Sequence, residues 1–241
     1  MVESLEFIKD RAAKTISAAK KVAVKWTWQE QTIDQLQAAL TAITGNSSAT
    51  PPIAGQEEVT WQAGQAMLAS RGIWDEQLDT LHALTVQGVT MGRTRDRNHP
   101  ANLAVLGALS ARGTSRAEIL AEALAWESAW AKVDAAWCPV PMNTLPAFKV
   151  LRKQCAEDLQ QAYADAQADY RSAAEALNDM AAGLEQTIEA WYADATAVFR
   201  DGSADGDMIR STVPTTYNPP AEKESTMTLS LPSSVSTRAA A

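Results

Sequence analysis

Few residues in this chain have types and spacing suited to chemistry. There are two histidines and two cysteines. His82 follows Asp79 by three residues and Glu76 by six. On a helix, a carboxylate three residues before a histidine forms half of the metal site used by bundle di-iron proteins. The other half would need a second such motif, and His99 falls in the turn-like RTRDRNHP stretch instead. An exposed histidine on a charged helix face is therefore the better reading. Cys138 and Cys155 do not make a disulfide framework. Bridging them would require a loop to fold back, and nothing supports either one as a nucleophile. The sequence has no Gly-rich phosphate loop, no serine elbow and no Cys-x-x-Cys pair.

One acidic run is more suggestive. Asp201-Gly-Ser-Ala-Asp-Gly-Asp-Met resembles the first half of an EF-hand calcium loop. The resemblance puts Asp201, Ser203, Asp205 and Asp207 around a hard cation, with Gly206 at the sharp turn. It stops at Thr212, where a bidentate Glu is expected, and Pro214 blocks an exiting helix. In the competing reading Gly202 caps the preceding helix and Asp205-Gly206 is a plain turn, leaving the chain without a cofactor. The basic group Arg93, Arg95, Arg97 and His99 surrounds Asp96 in a chain of net charge -8, so a solvated turn is expected there. That acidity also argues against nucleic-acid binding, which needs a basic face.

The elements that would position these residues are helical. Between Thr144 and Arg200 there is no Pro after Pro146, and small or apolar residues recur in steps of three and four from Phe148 to Val198. That pattern predicts one helix over about 145–200, roughly 80 Å long at 1.5 Å per residue. A second long helix is expected over about 1–44, with Leu5, Ile8, Ala12, Ile16 and Ala19 in register and Gly45-Asn46 as the stop. The cluster Val22, Val24 and Thr27 is its weak point. Six bases against three acids on its first part face five bases against nine acids on the later helix, so the two are expected to pair.

Shorter helices fill the middle. Gln56–Ser70, with Val59, Ala63, Ala66 and Met67 on its buried face, should end at Arg71-Gly72. Trp74–Arg93 keeps Trp74, Leu78, Leu81, Thr85 and Gly88 in register, and Pro100–Arg112 is a small apolar helix. A capping box at Ser115 and Glu118 opens the next, whose stripe is Ile119, Ala123, Trp126, Trp130, Val133 and Trp137. The loop over 138–143 makes a helical hairpin with the long helix. The expected fold is an all-α elongated bundle over 1–201, followed by an extended tail over 202–241. Within the tail, Thr226–Leu231 alternates like a β-strand with Met227, Leu229 and Leu231 on one side. A lone strand finds its partner on another chain.

No N-terminal signal peptide and no membrane span are legible, which is consistent with a cytoplasmic, virion-borne or signal-independent exported protein. Of eight tryptophans, Trp28 is off-stripe and is the expected exposed interface anchor. The expectation for function is a non-enzymatic structural or assembly subunit. It would be a coiled-coil-like helical bundle that forms a homo-oligomer or joins a filament, sheath or particle. The alternatives are a helical bundle acting on membranes, as pore-forming proteins do, and a bundle metalloenzyme.

Overall fold

A computed structural model of the chain describes residues 4–95, 115–132, 138 and 143–213, the side chains of 92–95 excepted. The described part is all-α. Helix α1 spans Leu5–Val22, α2 Ile33–Thr44, α3 Gln56–Arg95, α4 Arg116–Trp130 and α5 Leu145–Lys153. A π-helical turn over Gln154–Asp158 joins α5 to α6, Leu159–Val198, and α7 spans Ala204–Arg210. The chain divides into two compact units. One comprises residues 38–183, and the other comprises 1–37 together with 184–241. Helix α7 lies beyond residue 201, and its Ile209 is fully buried in the second of these units.

The core of the 38–183 unit is aromatic. Trp126 and Trp130 lie on the buried face of α4, with ring centroids 5.6 Å apart, and Phe148 of α5 stands 5.9 Å from Trp130. Trp74, Leu78 and Leu81 of α3 close the cluster, together with Cys155 from the π turn. The capping box of Ser115 and Glu118 forms as its spacing predicts. Thr144 likewise caps α5, with Pro146 in the first turn. The π turn places the Cys155 carbonyl 2.9 Å from the Trp74 indole N–H, which donates to it. An inserted residue in a helix loosens the local ladder of bonds and leaves such a carbonyl accessible.

In the other unit, α1 buries Ala18, Ala19 and Val22 against Trp191 and Ala195 of α6 and Ile209 of α7. Between α1 and α6, Arg11 lies 3.8 Å from Glu189.

Several boundaries differ from expectation. The helix expected over 1–44 is two helices. It breaks at the β-branched weak point, where Val24 is 93% exposed, and restarts because Thr32 and Gln35 form their own reciprocal cap. The two helices expected over 56–93 are one, since α3 runs through Arg71-Gly72. The helix expected over 145–200 carries the π turn and ends at Val198. The buried face of early α3 is also rotated from the expected one. Thr60 and Met67 are buried while Val59 and Ala66 are exposed. Thr60 tolerates burial because its hydroxyl bonds the carbonyls of Gln56 and Ala173, at 2.8 and 3.1 Å. The expected helix over 100–112, the stripe residues Val133 and Trp137, the strand over 226–231 and most of the expected tail lie outside the described residues.

Two substitutions test this packing. Trp130→Ala should lower unfolding stability by about 3–5 kcal/mol in denaturant titration, the range for deleting a buried aromatic. The glycines of α3 should respond with opposite signs. A Cβ at Gly88 would lie 2.8 Å from the Trp126 ring, whereas one at Gly72 meets nothing within 4 Å. Gly88→Ala should therefore destabilise by about 1–3 kcal/mol through overpacking, and Gly72→Ala should stabilise by about 0.5–1 kcal/mol.

Candidate functional site

The residues singled out for chemistry are not gathered into one site. His82 is half-buried on α3. Its nearest carboxylate is Glu122 of α4, with Nδ1 4.0 Å from Oε2, while Asp79 and Glu76 are exposed. Among the described residues, no group of three or more His, Cys, Asp or Glu side chains is placed to hold a metal ion.

The acidic run of the calcium-loop resemblance is built differently from a loop. Ser203 is the N-cap of α7, its Oγ accepting the Gly206 N–H at 3.0 Å and donating to the Arg200 carbonyl at 2.8 Å. Gly202 takes a left-handed φ of 76°, which ends the preceding helical run. Asp205 receives Lys25 Nζ at 2.5 Å, and Asp201 is paired with Arg210. Asp207 is exposed. A serine cap thus starts a helix within this acidic run.

Trp28 does not stand free. It is half-buried, packs onto the core of its unit, and donates its indole N–H to Asp194 at 2.8 Å. The exposed tryptophan among the described residues is Trp61, half of whose surface is open. Met227, Leu229 and Leu231 lie outside the described residues, as does the Arg97 and His99 portion of the basic turn.

The structure adds two features that the sequence did not announce. The first is a clamp on α4. Arg116 makes two hydrogen bonds to Asp75, at 2.8 and 2.9 Å, and its guanidinium lies 4.5 Å from the Trp74 ring centroid and 5.7 Å from that of Tyr163. This fork-on-carboxylate and cation–π arrangement ties α3, α4 and α6 together without leaving the guanidinium aimed at a ligand. No sequence spacing links residues 75, 116 and 163. The second is the outer surface of early α3. From Val59 to Ser70 the helix carries no charged residue, and Val59, Trp61, Leu68 and Ile73 are exposed. The opposite side of the same stretch lies against α6, where Gln56 and Thr60 bond the Ala173 carbonyl. The absence of charge over those twelve positions was the available sequence signal.

The chain matches no protein family, no curated protein and no solved structure.

Neither cysteine is in a disulfide among the described residues, and their surroundings differ. Burial raises the Cys155 thiol above its ordinary value. Cys138 is only partly covered, its Sγ 3.0 Å from the Asn143 carbonyl. A thiol reagent should label Cys138 in the native protein and reach Cys155 only on unfolding, as mass-mapped alkylation would report. The sign of the associated linkage follows from the neutral thiol being favoured in the folded state. Its contribution to stability is complete below the unfolded thiol value of about 8.5 and declines as pH rises above it.

Proposed function

We propose that this chain is a non-enzymatic structural or assembly subunit that self-associates through helix packing. The observation that carries the reading is the exposure of Trp61 and Leu68 on the uncharged Val59–Ser70 stretch of α3. Trp61 and Leu68, seven residues apart, share one flank of a helix that is packed on another side, and association covers exposed apolar side chains of this kind. Trp61 is the natural anchor of such a contact, because indoles dominate the energetics of interfaces. The alternating segment Thr226–Leu231 offers a second mode, in which main-chain pairing with another copy supplies affinity. A homo-oligomer, filament or particle is the form such a subunit takes.

Light scattering across a wide concentration range tests the reading. The full chain should exceed monomer mass, and Trp61→Glu should weaken self-association about tenfold or more, the scale of an interface anchor. A chain ending at Asn218 should keep its helicity and lose higher-order assembly. A monomer at every concentration would remove the proposal.

A further inference from the structure

We infer that the unit formed by 1–37 and 184–241 carries a binding site for a quaternary ammonium group, the trimethylammonium head of choline or of a choline lipid. The inference stands apart from the assembly reading, since it concerns a different unit and a different surface.

A cavity of about 250 Å³ opens between the end of α1, the 23–32 connection and the start of α2. Trp26, Trp28 and Trp191 line it, with Val22, Ile33 and Asp34. Trp191 is 2% exposed and belongs to the core, so it forms the closed end. Asp34 is exposed and stands at the mouth.

The indoles are held in place before any ligand arrives. The Trp28 ring is fixed by its hydrogen bond to Asp194 at 2.8 Å. Trp26 meets Phe199 edge-on, with centroids 6.1 Å apart and planes at 84°. Preorganised walls reduce the ordering cost of binding.

The charge around the cavity selects a cation. Asp34 lines it, and Asp194 stands at the edge of Trp28. No Lys, Arg or His is among the lining residues. Of the lysines in this stretch, Lys20 bonds Gln37 at 2.9 Å and Lys25 pairs with Asp205 at 2.5 Å. The start of α2 would ordinarily favour an anion. Here the N–H groups of Thr32 and Gln35 are met by their reciprocal box, and Asp34 adds a negative charge.

The type of cation follows from the walls. A primary ammonium brings three N–H donors and a tight hydration shell, and indole faces offer no acceptor for them. A quaternary ammonium has no N–H group to satisfy. Its methyl groups bury against the rings while its charge meets the negative ring faces, the interaction that aromatic cages use. The volume is below the roughly 300–1,000 Å³ of pockets for drug-sized ligands and suits a head group.

Calorimetric titration of the full chain with choline tests the site, run beside 3,3-dimethylbutan-1-ol, which has the same shape without the charge. Choline should bind, and the neutral compound should bind about tenfold or more weakly, the scale of a desolvated cation–π contact. Asp34→Asn removes an exposed charge without disturbing the core, and should weaken choline a few-fold. Trp26→Ala should abolish binding in protein whose helical circular dichroism is unchanged. Trp28→Phe keeps a ring face and should retain part of the affinity if Trp26→Ala does not fold. Co-sedimentation with phosphatidylcholine and phosphatidylglycerol vesicles separates the sources. Preference for phosphatidylcholine identifies a lipid head group, and binding of choline without vesicle binding identifies a free solute. Equal binding of the neutral compound, or no binding of choline at ~10 mM together with no preference for phosphatidylcholine, would overturn the inference.

Discussion

The burial of two indoles one helical turn apart on α4 is the constraint on which the 38–183 unit depends. Trp126 and Trp130 are essentially inaccessible, and a helix of 15 residues has no means of covering them by itself. Covering them requires α3 on one side and Phe148 of α5 on another. It also requires a bare backbone at Gly88, because a methyl group there would collide with the Trp126 ring. The Arg116 clamp to Asp75 and the 2.5 Å contact of Arg152 with Glu127 sit on the flanks of the same cluster. Such ion pairs contribute modestly, and their main effect is to fix how the aromatic faces meet.

Much of this arrangement could be read from the sequence. The cap residues Ser115 and Thr144 and the left-handed stop at Gly45 are short-range signals that tertiary contacts did not override. The register Trp74, Leu78, Leu81, Thr85 and Gly88 is buried as its spacing requires. Gly72 misled because a helix stop is only a local preference of about 1 kcal/mol, and continuing α3 buries Met67, Trp74 and Leu78 on one face. The break after Val22 has two causes, a β-branched cluster and a Thr32–Gln35 cap that starts the next helix. The π turn has no compositional mark, since neither Gly nor Pro occurs within Gln154–Asp158.

The candidate surfaces were less legible, for a reason that Trp28 and Trp61 illustrate. Periodicity assigns a residue to a face only when the buried face is known. Thr60, a polar residue, occupies the buried face of early α3 through hydrogen bonds to carbonyls, and this turns Trp61 outward. Trp28 lies in a connection where helical period has no meaning, and a distant carboxylate, Asp194, decides its placement. Contacts across more than 160 residues of sequence leave no trace in local spacing.

The division into a continuous unit and a split one carries a kinetic consequence. Residues 38–183 are contiguous, and the contacts that close this unit, such as Thr60 to Ala173, lie within it. The other unit joins α1 to the end of α6 and α7 across that whole interval. Closing so long a loop has a low rate while the interval is unstructured. On a ribosome α1 therefore emerges with Ala18, Ala19 and Val22 uncovered, and it must wait for Trp191 and Ile209. Its abundance of alanine in place of larger apolar residues gives that waiting helix little surface with which to aggregate.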